Sequence, residues 1–89
     1  MSGVLLLNTA ESGLYYRMLS CKTDMRTSNK LWELGFRPST TIEVVSNTRT
    51  GLIVKVKGSR LGISHDLAKS IYVEPLLGYE ANLFKFRGL

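Results

Sequence analysis

His65 is the chain's one histidine, and it stands between Ser64 and Asp66, so a nucleophile, a base and a carboxylate lie side by side. Hydrolysis would need them to converge, with the base in hydrogen-bond reach of the nucleophile and the carboxylate behind the base. Successive residues at a helix start point in divergent directions, and Ser64 is better used as a helix cap. Metal chemistry has little more to work with. Ferrous iron favours histidine and carboxylate ligands, and structural zinc favours clustered Cys and His. The chain has one Cys, one His and seven Asp and Glu, and they are scattered. Cys21 and Asp24 are three apart and His65 and Asp66 adjacent, but neither pair makes a site alone. A glycine-rich phosphate loop ending in Lys-Ser or Lys-Thr is missing. The residues therefore assign no catalytic, cofactor-binding or metal-ligating position, and the chain reads as a non-enzyme.

The remaining candidates are surface residues. Lys55, Lys57 and Arg60 gather around one predicted hairpin, with Arg49 on the loop before it. On a small domain they can share a face and dock an acidic protein or contact phosphates. An ordinary solvated strand face explains them equally well. Nucleic-acid binding also wants exposed aromatics for stacking, and the four tyrosines are not obviously on that face, which argues against it. Trp32 falls about 100° from Leu31 on a helical wheel. It is either an interface anchor or a lid over the core, and Phe36 admits the same two roles. Cys21 near Lys22 and Arg26 has the surroundings of a reactive thiol, but a small half-buried apolar residue is the simpler reading.

The rest of the composition sets bounds. Eighty-nine residues make one domain with a thin core. An apolar share of 44% with 21% charged residues excludes disorder for most of the chain. A lone cysteine cannot form an internal disulfide, as expected of a reducing compartment. The longest apolar run near the start, Val4 to Leu7, neither spans a bilayer nor heads a signal peptide. A cytoplasmic location follows as the expectation. The net charge of +5 suits an acidic partner of any kind.

These candidates need elements to hold them. Val4 to Leu7 reads as a turn capping the core, closed by Gly13. Leu14 to Cys21 is aromatic and apolar enough for a strand. A helix capped by Asp24 or Ser28 runs to Leu34, with Leu31 and Leu34 inward. Gly35 suits a left-handed helix stop, and Pro38 prevents resumption. From Thr41 the period becomes two. Thr41 to Val45 is one strand, and Leu52, Val54 and Val56 alternate with Lys55 and Lys57 in the next. Gly58-Ser59 reads as a type II′ turn before Arg60 to Ile63. Ser64 caps a helical turn, and Ile71 to Glu74 is a last strand ended by Pro75. The sum is a mainly β, small five-stranded closed barrel, with one short inserted helix and a helical turn before the last strand. Beyond it, Lys85 and Arg87 alternate with Phe84 and Phe86. That extension is expected to pack on its own barrel, or to join a second copy in a homo-oligomer.

Four pieces in order resemble the ferrous iron transport protein A (FeoA) family. Leu31-Trp32-Glu33-Leu34-Gly35-Phe36-Arg37-Pro38 looks like its "LLELGF-x-PG" signature. Ile42-Glu43-Val44-Val45, then Val56-Lys57-Gly58-Ser59-Arg60-Leu61-Gly62-Ile63-Ser64, and finally Leu67-Ala68-Lys69-Ser70-Ile71-Tyr72-Val73 keep its spacing. The likeness covers residues 5–75, which sets a domain at 1–75 and an extension at 76–89. One departure is Ser39, where the family has glycine; a left-handed serine costs about 1 kcal/mol, so another turn type is expected. The resemblance implies an SH3-like barrel and a cytosolic accessory of the GTPase-coupled ferrous permease, FeoB. The membrane is then reached only through that permease. Trp32, Phe36, Arg49, Lys55, Lys57 and Arg60 become the expected partner contacts. The resemblance implies service to iron transport without a resident cofactor, at most with weak ferrous ion binding between copies. The alternatives are a small basic nucleic-acid-binding barrel and a metal-sensing regulatory domain.

Overall fold

The structure, a computed structural model, describes residues 3–76. The extension beyond residue 76, with its expected packing or oligomeric role, lies outside the described residues. Strand β1 (Leu5–Leu6) leads into a 3-10 turn (Leu7–Thr9), followed by β2 (Tyr15–Cys21) and helix α1 (Met25–Leu34). Then come β3 (Thr41–Thr48), β4 (Gly51–Val56), β5 (Ser59–Ile63), the single-turn helix α2 (His65–Ala68) and β6 (Ile71–Pro75).

All six strands form one antiparallel sheet, ordered β1-β6-β2-β3-β4-β5. The domain is mainly β, as the alternation requires. The expected five-stranded closed barrel is corrected on two counts: there are six strands, and the ladder stays open between β1 and β5. The added strand is only two residues long, and a four-residue apolar run carries no period from which to read it.

The alternation decides which face is buried. Tyr16, Met18, Ile42, Val44, Leu52, Val54, Val56, Ile63, Ile71 and Val73 all point to one side and form one apolar cluster. Few residues from outside the sheet join them: Leu7, Ala10, Leu31, Phe36 and Ala68. A face so little covered by helices must curl over itself to be dry. The register slips that permit bending are present, one between Met18 and Ser20 and one between Val44 and Ser46. Asn47 ties the N-terminal segment down, its amide donating to the carbonyls of Asn8 (3.1 Å) and Ala10 (2.7 Å).

Local punctuation differs from expectation at two turns. The β4–β5 link is Lys57-Gly58, not Gly58-Ser59, and both central residues have positive φ (53° and 80°). That is a type I′ turn, whose twist matches the flanking strands. At Arg37-Pro38-Ser39-Thr40, the Thr40 N–H donates to the Arg37 carbonyl at 2.9 Å, and Ser39 has φ 75°. The turn therefore keeps the left-handed geometry and bears the serine's strain. Pro75 belongs to β6, opposite Tyr16. It fits there because β1 covers only Tyr72 and Val73, so no strand lies where an N–H would be wanted.

Candidate docking surface

Helix α1 is fixed at both ends. The Asp24 carboxylate accepts from the Thr27 N–H at 3.1 Å, and hydrogen bonding to Thr27, from its side chain first and its backbone second, holds the carboxyl below the usual range. At the other end Gly35 is left-handed, its N–H donating to the Trp32 carbonyl (3.1 Å) while the Phe36 N–H donates to that of Leu31 (2.9 Å). This is a Schellman stop. The turn after it drives Phe36 into the core, where it is 1% exposed. Phe36 is therefore a packing residue, and its expected role as a partner contact is corrected.

The helix buries only Leu31 fully. Leu34, expected inward, is 39% exposed, and Met25 and Trp32 are 79% and 53% exposed. Trp32 is no lid. Its ring is covered instead by Arg37, whose guanidinium carbon sits 5.0 Å from the ring centroid, while Nε donates to the Trp32 carbonyl at 3.0 Å. An arginine held over a tryptophan by a backbone bond is a pre-ordered pair of the two residue types richest in interface energy. Arg37 is the candidate that sequence reasoning missed; its five-residue spacing across a helix stop is no recognised pattern.

Lys57 joins this end of the helix. Its Cγ lies where a side chain at Gly35 would stand, 3.0 Å from an ideal Cβ there. The other expected contacts lie elsewhere. Lys55 and Arg60 face each other across β4 and β5 on the sheet's outer side, and Glu43 lies opposite Lys55 on β3. Arg17 meets Glu74 at 3.5 Å on the same side of the sheet. The basic row is thus interrupted by carboxylates. Burial and, secondarily, the Glu43 charge push the Tyr15 hydroxyl above its usual range. Arg49 sits in the β3–β4 turn, roughly 20 Å from Lys57 along β4. The four basic candidates do not form one patch.

The chemistry-bearing residues have structural duties. Ser64 Oγ accepts from the Leu67 N–H at 3.1 Å, and His65 Nε2 donates to the Thr48 carbonyl at 2.6 Å. Cys21 is half-buried with Sγ 3.4 Å from Ser28 Oγ. Among the described residues, no three His, Cys, Asp or Glu side chains converge on a point. None of their helices is long and apolar enough to cross a membrane.

A six-stranded sheet curled on its own core, with Trp32, Arg37 and Lys57 gathered at the end of one helix, makes a small β domain. The FeoA domain model matches residues 5–75, and the chain belongs to the FeoA domain family. It resembles a crystal structure described as an iron uptake regulatory protein (FeoA), with 27% identity and a TM-score of 0.78, over 83% of this chain and 100% of that one. A FeoA-like protein from Clostridium acetobutylicum matches at 22% identity and TM-score 0.76, over 86% and 92% of the two chains. A manganese-dependent transcriptional repressor shares the fold at 13% identity and TM-score 0.76, with 85% of this chain on 44% of that one. No curated protein matches the chain by sequence. Family membership suggests a role in ferrous iron uptake.

Proposed function

We propose that this chain is a cytosolic accessory of ferrous iron uptake that acts by docking on a FeoB-type GTPase-coupled permease. The observation that carries the reading is the outward display of α1 in a FeoA-family domain. Trp32 is half exposed, Arg37 is pre-stacked on it, and Lys57 stands beside the helix stop. A helix capped at both ends holds Trp32, and Arg37 stacked on it, with little further loss of freedom on binding. Nucleotide hydrolysis and ion passage belong to the permease, and the accessory alters its assembly or gating.

Deleting the gene lowers ferrous uptake while permease abundance stays unchanged. Complementation with Trp32→Ala restores little of it, since truncating a central interface tryptophan costs about 2 kcal/mol or more of binding. Normal uptake in the deletion strain would refute the role. Full rescue by the variant, at equal expression, would remove Trp32 from the contact.

A further inference from the structure

Beside the Trp32 stripe, α1 presents a second apolar strip. Thr27, Lys30, Leu31 and Leu34 follow one another at helical spacing, and Leu67 of α2 closes the far side. With Arg26 they line a groove of about 210 Å³. Its apolar walls are the leucines and its rim is basic. The run from residue 27 to 34 is about 10 Å long, enough for two side chains set one helical turn apart. Arg26 and Lys30 are exposed, and neither has an ion-pair partner among the described residues. The nearest acid on α2, Asp66, is taken by Lys69 at 3.9 Å.

Charge decides between occupants. The chain's own end carries Lys85 and Arg87 against Glu80, and a second copy brings a net charge of +5, so an acidic partner complements this rim better than either. A bilayer surface is flat and does not fill a groove. We infer that the groove receives an acidic amphipathic segment of the partner. Two of its apolar side chains seat on Leu31, Leu34 and Leu67, and its carboxylates reach Arg26 and Lys30. This deepens the docking reading and rests on it.

The test uses the full chain and the purified permease in nanodiscs of neutral lipid, with affinity measured across a salt series. Wild type binds, and binding weakens as salt rises. Arg26→Glu with Lys30→Glu lowers affinity roughly tenfold and flattens the salt dependence. Leu34→Glu, at an exposed position that leaves the fold intact by circular dichroism, lowers it by a similar factor. Thr50→Glu, exposed in the β3–β4 turn at the far end of the sheet, stays within about twofold. If wild type binds and the groove variants bind equally well, the groove is wrong and docking stands. If wild type does not bind at all, the docking reading fails first and takes the groove with it. Equal, groove-dependent binding to empty anionic nanodiscs would give the site to lipid and overturn the inference. So would nuclear Overhauser effects between Leu34 or Leu67 methyls and the Phe84 or Phe86 rings in the free chain.

Discussion

Gly35→Ala tests how helix α1 is joined to the sheet. Gly35 has φ 107°, where a side chain costs about 1–2 kcal/mol. An added Cβ would also stand 3.0 Å from Val56 Cγ1 and 3.0 Å from Lys57 Cγ. The two neighbours yield differently. Lys57 carries a flexible stem and can swing aside. Val56 is buried with a restricted rotamer, so crowding it adds about 1–2 kcal/mol. The expected loss is about 2–4 kcal/mol, a large share of the roughly 5–15 kcal/mol that holds a domain together. Urea unfolding followed by far-ultraviolet circular dichroism measures it. Lys57→Gly in the same background removes the stem and relaxes the turn. A double-mutant cycle should therefore return a coupling of about 0.5–1 kcal/mol. A loss below about 0.5 kcal/mol for Gly35→Ala, or a coupling of zero, would refute the claim that this stop is wedged against the β4–β5 hairpin.

Other outcomes follow from the same geometry. Ser39→Gly stabilises by about 1 kcal/mol, because φ 75° is strained for serine and free for glycine; an unchanged or lower urea midpoint counts against the turn as drawn. Asn47→Ala strips partners from the Asn8 and Ala10 carbonyls at once and costs about 1–3 kcal/mol, read by the same unfolding curve, with the N-terminal segment loosening first by hydrogen exchange. Asp24 has a folded pKa below its unfolded one, so its capping contribution is complete above the unfolded value and is lost as pH falls through the folded value. The Thr27 amide should lose protection in that acidic window, and in Asp24→Ala the amide should already be unprotected at neutral pH.

Much of this fold is legible in the residues. The alternation of Leu52, Val54 and Val56 with Lys55 and Lys57 fixes β4 and its buried face, and Gly35 marks the helix stop to the residue. The exceptions depend on a three-dimensional neighbour or on a backbone angle that the residue types do not advertise. Leu34 repeats Leu31 at helical spacing, but the core takes its next large side chain from Phe36, turned inward by the stop, and Leu34 stays 39% exposed. The hairpin register rests on a lysine accepting φ 53°, which Lys57-Gly58 does not advertise as Asn-Gly would. The extra residues at Leu19 and Val45 leave no mark on the pattern, yet they allow the sheet to bend. At the surface, Trp32 and Lys57 are readable from the sequence as candidates. Arg37 and the groove are not, because one requires a fold-back across a stop and the other a leucine from α2.

The two apolar stripes of α1 have a common origin in how little cover this core needs. A sheet that curls over its own face demands one leucine from the helix and one phenylalanine from just beyond it, Leu31 and Phe36. The remaining helix surface is then free of packing duty. Apolar residues retained there are costly to display in water and add nothing to the core. Met25, Trp32 and Leu34 are large and exposed on a helix whose ends are pinned by Asp24 and Gly35. Replacing all three by serine should leave the unfolding midpoint within the small changes expected of surface sites, while removing binding to the permease. If stability instead fell by several kcal/mol, these side chains would be core after all, and the docking surface would have to be sought elsewhere.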